Sequence, residues 1–129
     1  MTLVLGLGLW LFTGESIGAD PTATTTAIAF DSEAAARGEA IAAATGCLAC
    51  HTIDGASGTG PTWKGLAGAS RPLVTGESVL ADDAYLFSAV VDPAAQVVAG
   101  FDPVMPVTYS ENLTEDEIND LVEYIRSLS

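Results

Sequence analysis

A chain of 129 residues with 17 Asp and Glu against four Lys and Arg carries a net charge of −13 and has room for one domain and a tail. Phosphate neutralisation needs clustered cations, and Arg37, Lys64, Arg71 and Arg126 are scattered, so nucleic-acid binding is excluded. The acidic surface keeps the protein soluble or steers it towards a basic partner.

Residues 1–17 come first. From Met1 to Phe12 the chain is nearly all apolar, with Leu3, Val4, Leu5, Leu7, Leu9, Trp10 and Leu11. At ~1.5 Å per residue the segment is shorter than a ~30 Å hydrocarbon core, even when extended to Ile17 past Glu15. It also lacks the positive n-region of a signal peptide. Two readings stand: a signal-like segment whose start lies upstream, or the outer end of a membrane anchor. We expect an anchor, packed against lipid or other subunits. Residues 18–30 contain Asp20-Pro21 and the run Thr22-Ala23-Thr24-Thr25-Thr26, and read as an extended polar linker. The folded domain is expected over 31–129.

Asp31 or Ser32 can cap a helix with Glu33 in its first turn, and Ala34 to Ala44 is rich in helix formers. Gly38 interrupts that run; it suits a place where another helix crosses and the backbones must come close. Thr45-Gly46 ends the helix and delivers Cys47-Leu48-Ala49-Cys50-His51.

That pentapeptide is C-x-x-C-H, the attachment signature of a c-type haem. Thiols at i and i+3 on one helical turn can each add to a vinyl group of one porphyrin. His51 then offers its imidazole to the iron from the proximal side. A redox disulfide would favour a βαβ setting, whereas helices are predicted here. Structural zinc wants four Cys/His ligands, and the chain has three in all. Both cysteines lie in the motif, which leaves none for a structural disulfide. Haem is attached to thiols outside the bacterial cytoplasm, so the motif implies export.

Thr52 to Gly60 is a loop, with Gly55, Gly58 and Gly60 as turn formers. Pro61 has a carbonyl and no N–H; near His51, that carbonyl could accept Nδ1–H and orient the ring. Trp63 has the bulk to wall a haem and an N–H that could reach a propionate. Leu73 to Leu80 reads as a small hairpin or irregular excursion around Gly76. Asp82 or Asp83 caps a helix with apolar positions Tyr85, Leu86, Ala89 and Val90, stopped at Asp92-Pro93.

Haem iron in electron carriers usually takes His or Met on its far side. The single histidine is already used, and Met1 begins the apolar tail, so Met105 is the candidate. It sits in Asp102-Pro103-Val104-Met105-Pro106, where the prolines favour a stiff extended loop. Beyond it, Thr114-Glu115-Asp116-Glu117 is a capping box. Ile118, Leu121, Val122, Ile125 and Leu128 then form one apolar face, with Tyr124 beside it and able to meet Gly38.

From Asp31 to Ser129 the chain resembles a class I cytochrome c. The resemblance implies an all-α class I cytochrome c fold around one covalent haem c. It makes Cys47 and Cys50 the thioether anchors and His51 and Met105 the axial ligands. It also implies a Pro61 carbonyl bond to His51 and a crossing of the terminal helices at Gly38 and Tyr124. Ala81-Asp82-Asp83-Ala84-Tyr85-Leu86, Val90-Val91-Asp92-Pro93, Val97-Val98-Ala99-Gly100-Phe101 and Val104-Met105-Pro106 are similar to two narrower groups. These are the cytochrome c domains fused to oxidase subunit II and the monohaem subunit of alternative complex III. A two-Cys, two-His copper cluster is impossible with one histidine, which favours a separate subunit or a tethered carrier.

The expected function is one-electron transfer, because a His/Met-ligated iron has no position for a substrate. The expected partners are redox proteins, other subunits of a membrane electron-transfer complex, and the membrane itself, with the haem domain on the periplasmic side. Two alternatives compete with this. A haem peroxidase or gas sensor would need Met105 not to ligate, or to leave easily. A haem-free dithiol protein would lack a covalent haem band.

Overall fold

The computed structural model describes residues 28–129. The expected N-terminal apolar segment and most of the linker lie outside the described residues. Among the described residues, no helix is long and apolar enough to cross a membrane.

Helix α1 spans Ser32–Ala44 and starts as its sequence dictates: the Asp31 carboxylate accepts from the Glu33 and Ala34 N–H groups, both at 2.9 Å. It ends at Thr45, and Gly46 follows at φ 81°, the left-handed turn that glycine adopts without a Cβ penalty. A short antiparallel hairpin, β1 (Ser70–Pro72) and β2 (Ser78–Leu80), pairs Arg71 with Val79. Its first strand lies before Leu73 and not from Leu73 onward, as the sequence suggested. The apolar Leu73-Val74 pair instead opens the connecting turn, where Leu73 is buried and bridges to Val98.

Helix α2 (Asp83–Val91) is capped by the Asp82 side chain, which accepts from Tyr85 N–H at 2.8 Å. Leu86 and Val90 are its buried positions. A four-residue helix, α3 (Tyr109–Asn112), follows the Met105 loop. It was not anticipated, since one turn is too short to show a period. Helix α4 (Glu115–Ser127) opens with a complete capping box. Thr114 Oγ1 accepts from Glu117 N–H, and the Glu117 carboxylate accepts from Thr114 N–H at 2.8 Å.

The main packing is α1 against α4. A Cβ at Gly38 would overlap the Asp120 carbonyl and come within 2.9 Å of Tyr124 Cβ, so only glycine allows this approach. Arg37 closes the crossing from outside with a two-pronged bond to Asp120, at 2.9 and 3.1 Å. Leu86 of α2 and Ile118 and Leu121 of α4 are fully buried in one core cluster. Burial of this kind supplies roughly 2 kcal/mol per large aliphatic side chain. The helices thereby form one wall of a cavity, and the hairpin and Met105 loop form the others.

Candidate haem site

The attachment turn is a single 3-10 turn, Cys47–Ala49, set at an angle to α1 by Gly46. Cys50 N–H and His51 N–H both donate to the Cys47 carbonyl, at 3.2 and 3.0 Å. Both thiols are free; Cys47 is buried and Cys50 exposed. Thr45 Oγ1 donates to the Ile41 carbonyl at 2.7 Å and lies 3.3 Å from Cys47 Sγ, which steadies the first thiol.

His51 is held more firmly still. Its Nδ1 lies 2.7 Å from the Pro61 carbonyl oxygen. A carbonyl only accepts, so Nδ1 carries the proton and the Nε2 lone pair is left for a metal. Trp63 stacks on the imidazole, with ring centroids 5.1 Å apart and planes at 25°. Tyr124 in turn meets Trp63 edge-on at 6.0 Å, which connects the ligand to the helix crossing. Gly60 passes so close that a Cβ there would lie 2.6–3.1 Å from Cε1, Nδ1 and Nε2 of the ring. Burial pulls the imidazole below its usual pKa, and the Pro61 carbonyl pulls it partly back, so the neutral ligand form is favoured.

Cys47, Cys50, His51, Pro61, Trp63 and Met105, all anticipated from the sequence, line one cavity. Its remaining wall is mostly apolar: Leu66, Leu86, Val90, Val98 and Phe101 among others. Two further lining residues escaped the sequence reading. The first is Arg71 on β1, whose Nε is buried without a hydrogen-bond partner among the described residues. Beside it is Tyr85, whose phenol burial pushes to higher pKa while the guanidinium pulls it down. The signal for Arg71 was its rarity, one of four cations in a chain of net charge −13. The second is Tyr109, whose hydroxyl donates to the Thr45 carbonyl at 3.0 Å. Burial chiefly raises its pKa, so the hydroxyl stays protonated and able to donate.

These residues fit a c-type haem. A flat apolar macrocycle matches the apolar walls, and a half-buried guanidinium with one buried N–H left over among the described residues matches a carboxylate tail. Two thiols on one turn match two points of covalent attachment. No group of three His, Cys, Asp or Glu among the described residues could hold a free metal ion.

Residues 35–129 match the family model for cytochrome c. Cytochrome cH from Methylobacterium extorquens is a similar solved structure, 28% identical over 70% of this chain and 95% of its own, with a TM-score of 0.53. No curated protein matches the chain.

Proposed function

The chain belongs to the cytochrome c family and is a monohaem c-type electron carrier with one covalent haem c; we propose that it serves as a membrane-tethered subunit of an electron-transfer complex. One observation carries the site assignment. His51, its Nδ1 fixed on Pro61, lines the same cavity as both thiols and the single methionine of the described loop.

The bound haem supplies a one-electron iron couple. The protein does the rest. Cys47 and Cys50 would anchor the group through thioethers, and His51 Nε2 and Met105 Sδ would hold its iron. The Pro61 carbonyl keeps His51 in the ligating tautomer and makes it a better donor. Arg71 would hold a propionate that is otherwise a poorly compensated charge beside apolar walls. Trp63, Leu86 and Val98 line the cavity and would keep water from the iron, which with Met ligation would favour a high potential.

Cytochrome c domains are typically extracytoplasmic, and the tether proposed for this one is the apolar segment before residue 18. Its similarity to the oxidase-fused and alternative complex III domains supports a place in a respiratory or photosynthetic assembly. An excess of acidic over basic residues suits a partner that presents a basic face.

The test is a spectrum of the reduced protein with and without carbon monoxide. A closed six-coordinate carrier leaves it unchanged on mixing. Rapid CO binding would overturn the carrier reading in favour of a sensor or peroxidase. Isolation from detergent-solubilised membranes, with identification of co-purifying subunits, tests the tether and the assembly.

A further inference from the structure

The segment that carries Met105 is spanned between two ties. On its N-terminal side, Val74 N–H donates to Val97 O at 2.9 Å and Ala99 N–H to Pro72 O at 2.8 Å, joining it to the hairpin. Between Gly100 and Thr108 the hydrogen bonds among described residues are local: Phe101 N–H to Val98 O and Val104 N–H to Asp102 O. Val104 and Val107 are exposed, so this stretch has little burial to hold it. The next bond to another part of the molecule is Tyr109 Oη to Thr45 O, at 3.0 Å and partly buried.

Its landing point gives that bond its consequence. Thr45 caps α1 two residues before Cys47, and its own hydroxyl touches Cys47 Sγ. Its carbonyl is one of the orphan acceptors at a helix C-terminus. The Tyr109 hydroxyl therefore ties the far end of the Met105 loop directly to the haem-attachment turn. Phenylalanine would pack in the same place but could not make this tie.

We propose that Tyr109 is a positioning residue for Met105: its hydroxyl latches the loop shut on the attachment turn and so keeps the thioether on the iron. This rests on the reading of Met105 as the sixth ligand. Opening the loop to let another ligand reach the iron then breaks the Tyr109–Thr45 bond. Removing the bond beforehand favours the open form.

The experiment is a titration of oxidised holoprotein with imidazole, comparing wild type and Tyr109→Phe, alongside global denaturant unfolding. Imidazole must displace the methionine, so its apparent affinity reports the loop-opening equilibrium. With the sulfur-to-iron charge-transfer band present in both proteins before titration, Tyr109→Phe should bind imidazole about five-fold more tightly, the worth of one net hydrogen bond. The denaturant midpoint measured with imidazole saturating should be the same in the two proteins, because the latch is already open in both. Unchanged imidazole affinity with the band intact overturns the latch. So does a lower saturated-state midpoint in Tyr109→Phe, since the bond would then survive ligand exchange and serve general stability. A band absent from both proteins overturns the ligation of Met105, and the latch with it.

Discussion

The two sides of the cavity are built differently. On the His51 side, loop and ligand are bonded together throughout. Gly60 N–H donates to Cys50 O at 2.9 Å, Trp63 N–H to Thr52 O at 2.8 Å, and Thr62 Oγ1 to Thr52 O at 3.1 Å. Trp63 then buries the turn against the helix crossing through Tyr124. The Met105 side is a proline-flanked span with local bonds, tied at its ends. His51 is thus bonded into the folding core, and Met105 is attached to it. On the proposed ligation, any change of ligand should begin on the methionine side.

Four variants probe this asymmetry. Replacing both Cys47 and Cys50 by Ala should abolish covalent haem entirely, as seen by loss of haem stain after denaturing electrophoresis. Trp63→Ala removes a buried ring that stacks on the ligand and should cost about 4 kcal/mol in denaturant unfolding. Gly60→Ala forces a methyl onto the His51 ring and should cost about 3 kcal/mol, with a measurable change in reduction potential. Met105→Ala should cost less, about 2 kcal/mol, because its surroundings are half-exposed, yet it should lower the potential most. If Met105→Ala unfolds the protein as readily as Trp63→Ala, the asymmetry is wrong. If Gly60→Ala leaves stability and potential untouched, the proximal side is softer than its bonding suggests.

What the sequence conveyed follows the same division. The local rules were legible. Asp31, Asp82 and Thr114 cap where a side-chain acceptor precedes a helical run, and Gly38 sits where two backbones touch. C-x-x-C-H and Gly60-Pro61 announced the proximal side because each residue type there has a chemical task. Met105 could be reached by elimination. Arg71 and Tyr109 could not, since each acts through a contact with residues distant in the chain. Tyr109 meets Thr45 across 64 positions, and no periodicity encodes such a pairing. The hairpin differs for a related reason: Leu73 reads as a strand residue, but it closes the turn through its N–H to Glu77 O and bridges outward to Val98. The expected anchor and linker lie mostly outside the described residues, so their test is biochemical.

The central claim is that one iron is bound by His51 on the rigid side and by Met105 on the tethered side. The most direct measurement is the near-infrared-edge absorption of the oxidised holoprotein, where methionine sulfur bound to ferric iron gives a charge-transfer band, compared with that of Met105→Ala. The account predicts the band in the wild type and its complete loss in the variant. No band in the wild type, or an equal band in both, would contradict it.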